Sequence, residues 1–240
     1  MYFYGLGYFR YLLYAAPVLI FALIAQGWVK SAYKKFSKIT NSKGLTGAAA
    51  AQYVLNYYGI RDVKIVPCQG NLTDNFNPTD KTIYLSNEVY YNASIASVGI
   101  ACHEAGHAAQ HAENYVPNKI RTSLVPVTNF GSRFGLLIAF AGSFLAALSN
   151  LSSIGYYMII GGLILYGAVA LFQLVTLPVE FNASHRALKV IGETGMLQNE
   201  EFDGAKKVLT AAAMTYVAAL ATALFNLIYY AVRLLGSRRN

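Results

Sequence analysis

The sequence predicts a mainly helical membrane protein, with about four membrane-crossing helices and a small mixed α and β part after the first of them. Three observations carry that expectation. Only 12% of the 240 residues are charged and 55% are hydrophobic, whereas a soluble domain carries about 25% charge. Four uncharged apolar runs occupy residues 11–29, 134–148, 154–177 and 208–232, and a span needs roughly 20 apolar residues. Between the first and second runs, residues 30–128 hold most of the polar and charged side chains.

The first run contains Pro17, where a kink is expected, and ends at Lys30, Lys34, Lys35 and Lys38. Such a cluster marks the cytoplasmic end of a span. The N-terminus lacks a basic leader and a small-residue cleavage site, so it reads as an uncleaved anchor. Residues 44–58 read as a short helix with Thr46 as N-cap and Gly59 as terminator. Residues 63–67 and 81–86 read as two strands, and residues 70–80, rich in Asn, Asp, Thr and Pro, as the loop between them. Helix returns from about residue 88 through residue 111. Residues 134–148 and 154–177 form a helical hairpin, divided by the polar stretch 149–153, and the last run follows Lys206 and Lys207.

Four spans put both termini outside. On that topology 15 Lys and Arg lie inside and 4 outside (Arg10, Arg233, Arg238 and Arg239), the bias a cytoplasmic face shows. The net charge of +8 is thereby explained by topology and anionic lipid, and a nucleic-acid role is excluded for lack of a basic stripe interleaved with aromatics. Cys68 and Cys102 form no Cys-x-x-Cys pair and read as reduced thiols.

The chemistry is concentrated in His103-Glu104-Ala105-Gly106-His107. On a helix, positions i and i+4 share a face about 6 Å apart along the axis, so two imidazoles can reach one metal. Glu104, turned about 100° from His103, stands where it can take a proton from water beside that metal. Gly106 leaves room on the adjoining face. His111 extends the face but lies about 12 Å from His103 along the axis, too far to share an ion. A catalytic zinc takes three protein ligands. Glu180 is the expected third, being the sole acid between Glu113 and Glu193, returned by the hairpin to the same membrane side as the two histidines; His185 is the alternative. His185 or Arg186, close after it, is expected to stabilise the oxyanion of a tetrahedral intermediate. Thr82 to Leu85 is expected to be an edge strand able to hold an extended peptide.

The blocks HEAGHAAQHAENYVPNKIRTSLVPVTNFGSR, LPVEFNASHRAL and GAKKVLTAAAMTYVAAL, with NLTDNFNPTDKTIYLS ahead of them, resemble the YugP-like membrane zinc metallopeptidases, distant relatives of the HtpX-type gluzincins. The resemblance implies a gluzincin-like catalytic part on the cytoplasmic side of the cell membrane, Zn2+ held by His103, His107 and Glu180, and Glu104 as general base. This chain departs from the family pattern at Asn182 and His185, within EFNASHR, where the family has Glu-Phe-Asp-Ala-Ser-Arg-Arg. It departs again at Asp74-Asn75-Phe76-Asn77, where the family has Asp-His-Tyr-Asp.

The expected domains are an anchor (1–29), a cytoplasmic catalytic part (30–128), a transmembrane hairpin (129–178), a third-ligand segment (179–207) and a last span with its tail (208–240). The expected partners are a polypeptide substrate and the lipid bilayer, with a membrane-protein partner or homo-oligomer beside them. Two other classes compete with a peptidase of membrane or juxtamembrane proteins. One is a membrane scaffold with a structural zinc. The other is a metal transporter, against which the spans hold no charged residue away from their ends.

Overall fold

The computed structural model describes residues 2–70, 73–146 and 148–236. Its elements in chain order are α1 (Tyr2–Phe36), α2 (Gly47–Tyr57), β1 (Lys64–Cys68), β2 (Asn75–Asn77), β3 (Thr82–Ser86), α3 (Asn87–Tyr91), α4 (Ile95–Ala112), α5 (Val116–Phe130), α6 (Leu136–Ala146), α7 (Ser152–Glu193) and α8 (Glu200–Gly236). A π-turn at Gly131–Gly135 links α5 to α6, and a 3-10 turn at Ser149–Leu151 precedes α7. The described residues hold four helical stretches long and apolar enough to cross a membrane: Phe9–Phe36, Val116–Ala146, Ser152–Glu193 and Glu200–Val232. These helices and a small mixed sheet agree with the coarse class expected.

The chain divides into two compact units. Unit 1 comprises Met1–Leu23, Lys119–Thr176 and Tyr216–Asn240; unit 2 comprises Ile24–Asn118 and Leu177–Thr215. In unit 1, α6 packs closely against α7 through glycine. A Cβ on Gly142 would stand 2.6 Å from the Gly155 carbonyl oxygen and 2.8 Å from Ile159 N. Gly162 lies as tightly against Gly135 and Ala139. Close backbone approach through small residues is how helices associate in lipid, where no hydrophobic force draws them together.

Unit 2 has an apolar core. Val54, Leu55, Ile83, Leu85, Val89, Val98, Val190 and Ile191 are fully buried there. Helix α2 starts as expected, with Thr46 Oγ1 accepting from Ala49 N at 3.3 Å, and Gly59 follows it at φ +68°, where a Cβ would be strained. The expected single helix over 88–111 is two helices. Asn41 Nδ2 donates to Ala93 O at 2.7 Å, and the backbone of Thr40 bridges Ser94. That pairing pulls the chain extended, and Ser94 Oγ then caps α4 by accepting from Ser97 N at 3.0 Å. A long-range contact has overridden local helix preference.

The sheet runs β1-β3-β2, with β1 parallel and β2 antiparallel to β3. This corrects two expectations. Residues 70–80 are not all loop, since they contain β2. Thr82 to Leu85 is the central strand, paired on both sides, so it offers no open edge; β2 does. Asn77 Oδ1 accepts from Thr79 N at 3.0 Å in the connection between β2 and β3, an Asx-turn of the kind that reverses a chain. Helix α7 passes through Pro178 and continues to Glu193, so the third-ligand segment begins as the same helix.

Candidate metal centre

The centre lies within unit 2, where α4 meets the C-terminal part of α7. A Cβ on Gly106 would stand 2.6 Å from the Ala183 carbonyl oxygen and 3.3 Å from Ala183 Cα. Only glycine lets the two backbones pass so closely. The approach sets Glu180 and Ser184 of α7 beside His103 and His107 of α4.

The imidazole rings stand 4.7 Å apart between centroids and at 85° to one another. Glu180 Oε2 is 3.3 Å from His103 Nε2 and 3.5 Å from His107 Nε2. Zinc bonds of about 2.0–2.2 Å in a tetrahedron imply ligand atoms about 3.3–3.6 Å apart, which both Glu180 separations match, and all three ligand atoms lie within 4.8 Å of one another. Glu180 is 2% exposed, and a buried carboxylate requires a cation or hydrogen bonds to offset its lost hydration. His103, His107 and Glu180 are also the one group of three potential ligands found among the described residues. The set fits zinc.

Both histidines are oriented from behind. His103 Nδ1 lies 3.0 Å from Ser184 Oγ, and His107 Nδ1 lies 3.0 Å from Gln110 Oε1. With a proton on each Nδ1, donated to those oxygens, both Nε2 lone pairs face Glu180. Glu104 is 9% exposed. Its Oε2 accepts a hydrogen bond from the Phe76 backbone N–H at 3.0 Å, so the edge strand β2 holds that carboxylate.

A family described as "Putative neutral zinc metallopeptidase" matches residues 11–235. The chain belongs to this family. It is also 44% identical to the "Putative membrane protease YugP" of Bacillus subtilis (strain 168) over 214 residues, 89% of this chain and 92% of that protein. No solved structure matches. Membership of a zinc metallopeptidase family implies zinc, His103, His107 and Glu180 form a group able to hold a metal ion, and the four apolar helices accord with a membrane protein.

The remaining expected residues of this metallopeptidase chain fall elsewhere. His185 is exposed on α7 and lies outside the ligand cluster. Arg186, expected at the oxyanion, is engaged differently: Nε donates to Asn182 Oδ1 at 2.7 Å, and Nη2 lies 2.7 Å from Glu113 Oε2. Its guanidinium also lies over the rings of Tyr58 and Tyr115. His111 packs against the Phe76 ring, 5.7 Å between centroids. Burial pushes the Cys102 thiol well above its ordinary value, which keeps it an inert neighbour of His103.

Two carboxyls of unit 2 are shifted in opposite directions. The hydrogen bond from Arg186 holds Glu113 below the usual range. Burial raises Asp74, against the hydrogen bonds it accepts from Ser86 N at 2.7 Å and Ser86 Oγ at 3.1 Å. Phe76, Gln110 and Ser184 escaped the sequence reading as functional residues. Spacing could have found two of them: Gln110 is three residues beyond His107, and Ser184 is four beyond Glu180, each on its ligand's helical face.

Proposed function

We propose that this chain is a membrane-integrated zinc metalloendopeptidase of the His-Glu-x-x-His type, with His103, His107 and Glu180 as zinc ligands and Glu104 as general base. The observation that carries the reading is the three-donor cluster with a second buried carboxylate, Glu104, beside it on α4. A structural zinc takes four protein ligands, while a catalytic one keeps a position for water and substrate. The described residues supply three, which favours the enzyme over the scaffold.

Zinc, when bound, supplies Lewis acidity toward the scissile carbonyl and lowers the pKa of water. The chain's residues do the rest. Glu104 accepts a proton as the water oxygen bonds to the carbonyl carbon. It returns that proton to the amine nitrogen as the C–N bond breaks. The Phe76 N–H keeps Glu104 Oε2 in place through both transfers. The open side of β2 offers main-chain groups to an extended substrate, the role first expected of β3.

Unit 2 is then the catalytic part. The excess of Lys and Arg in the segments assigned inside supports a cytoplasmic site at the cell membrane, and its neighbourhood to the spans in sequence favours membrane or juxtamembrane polypeptides as substrates.

The test is cleavage of a quenched membrane-peptide library by the purified chain against Glu104→Gln. The variant is expected to retain stoichiometric zinc and to lose about 10²–10⁴-fold in turnover, the usual worth of a general base. Equal cleavage by the two proteins would remove Glu104 from the mechanism.

A further inference from the structure

We propose that Arg186 is a positioning residue for the zinc ligand His107, acting through Asn182 and Gln110. The proposal rests on the zinc reading of His103, His107 and Glu180, and adds a side-chain support, beside the Val179 carbonyl, for the amide that sets which nitrogen of His107 faces the metal.

A neutral imidazole binds metal only through the nitrogen that lacks a proton, so whatever fixes the tautomer fixes the ligand. His107 Nδ1 meets the side-chain amide of Gln110. An amide can turn either its oxygen or its NH2 toward a neighbour. If the NH2 faced Nδ1, the ring would carry its proton on Nε2 and could not bind the ion there. The other end of the Gln110 amide removes the choice. It lies 2.8 Å from the Val179 carbonyl oxygen and 3.0 Å from Asn182 Oδ1. A carbonyl only accepts, so the NH2 is at that end and Oε1 faces His107. Gln110 is fully buried, so its amide is held by these protein partners.

Asn182 is an amide with the same ambiguity. Were its NH2 turned toward Gln110, two NH2 groups would face each other in a buried place. Arg186 prevents this. Its Nε–H, which only donates, points at the same Asn182 Oδ1 from 2.7 Å and holds the oxygen inward. Arg186 is itself clamped by the Glu113 carboxylate at 2.7 Å and by the faces of Tyr58 and Tyr115. The donors therefore converge on Asn182 Oδ1: His107 Nδ1–H donates to Gln110 Oε1, Gln110 Nε2 donates to Asn182 Oδ1, and a guanidinium that cannot reverse donates to that same oxygen from the other side.

The same geometry accounts for a neutral residue at 182. Glu113 already balances the guanidinium charge, so position 182 needs an oxygen and not a second negative charge. Asn and Asp both supply that oxygen; an isosteric leucine does not.

The experiment uses the full chain purified in detergent. Zinc affinity is read by chelator competition, the cobalt-substituted protein by its visible absorption, and the metal-free protein by thermal unfolding. Asn182→Leu is expected to weaken zinc about 10–100-fold, as loss of a group supporting a ligand does, and to alter the cobalt spectrum. Asn182→Asp is expected to restore both readings. Arg186→Lys, which keeps the charge but loses the Nε–H fork, is expected to shift both readings in the same direction as Asn182→Leu does, and it carries the test should the Asn182→Leu protein fail to fold. Wild-type zinc affinity and cobalt absorption in both Asn182→Leu and Arg186→Lys would overturn the proposal. So would a loss that Asn182→Asp does not restore, since that reports packing at position 182. Glu180→Gln separates this failure from that of the site: if it retains zinc as the wild type does, the ligand assignment is wrong; if it loses zinc while Asn182→Leu keeps it, only the relay falls.

Discussion

Helix α7 makes close backbone contacts in both units by the same steric device, with opposite consequences. In unit 1, Gly155 and Gly162 meet Gly142 and Gly135 of the hairpin, and the groups around them are Ala139, Ala146, Met158 and Ile159. In unit 2, Ala183 meets Gly106, and the groups around them are His103, His107, Glu180, Ser184 and Gln110. Small residues bring backbones together in either case. What the contact does depends on the flanking side chains: apolar ones give packing, while polar ones held at fixed separation give a group able to hold a metal ion. The difference teaches that the close approach is a positioning element, to be read together with the chemistry one turn away.

Putting a methyl group into each contact gives the largest effect and the sharpest comparison. Gly106→Ala drives a Cβ against the Ala183 backbone and is expected to destabilise by about 1–3 kcal/mol, the range for overpacking, while also weakening zinc binding. Gly142→Ala overpacks the hairpin and should cost a similar amount by the same principle, with zinc affinity per folded molecule unchanged. Thermal unfolding and metal titration of the two variants check this. If Gly106→Ala leaves zinc affinity intact, the close contact does not position the ligands.

A smaller effect tests the flanking side chains alone. Ser184→Ala leaves the backbone approach as it is and removes the acceptor for His103 Nδ1. Zinc affinity is expected to fall about 10-fold, the lower end for a group behind a ligand, with unfolding of the metal-free protein little changed. An unchanged affinity would mean that His103 needs no orienting partner.

The smallest effect lies where unit 2 buries charge away from the helix contact. Asp74 has a raised pKa because burial disfavours its charged form. The folded state therefore holds that proton more tightly than the unfolded chain. Its contribution to stability is fully present below the unfolded value of 3.8 and is lost as pH rises through the folded value. Asp74→Asn, which keeps an oxygen for Ser86, should flatten that fall, by well under about 1 kcal/mol. Parallel stability-against-pH curves for the two proteins would show that burial does not act on Asp74 as stated.

Much of this was legible in residue order. The four apolar runs, the Thr46 cap, the Gly59 stop and the shared face of His103 and His107 depend on neighbours within a few positions, where helix period and side-chain type suffice. Glu180 was found by elimination among acids, and the structure brings it to the two rings. The limits appear where partners are distant. β2 is three residues with Asn at both ends, a poor strand by composition, and it exists because β3 pairs with it. The break at residues 92–94 comes from Thr40 and Asn41, about fifty positions earlier. Asn182 lies one helical turn before Arg186, but nothing local announced that Glu113, on another helix, pairs with the guanidinium.

The sequence by itself determined the membrane class, the paired histidines with their glutamate, and the glycine that permits a neighbour helix to come close, because these rest on periodicity, hydropathy and the size of one side chain. Only the tertiary structure decided which helix comes close, that its carboxylate completes the cluster, which strand holds Glu104, and where Arg186 points. Those outcomes depend on distances between residues far apart in the chain, and a distance is set by packing, which no local pattern encodes.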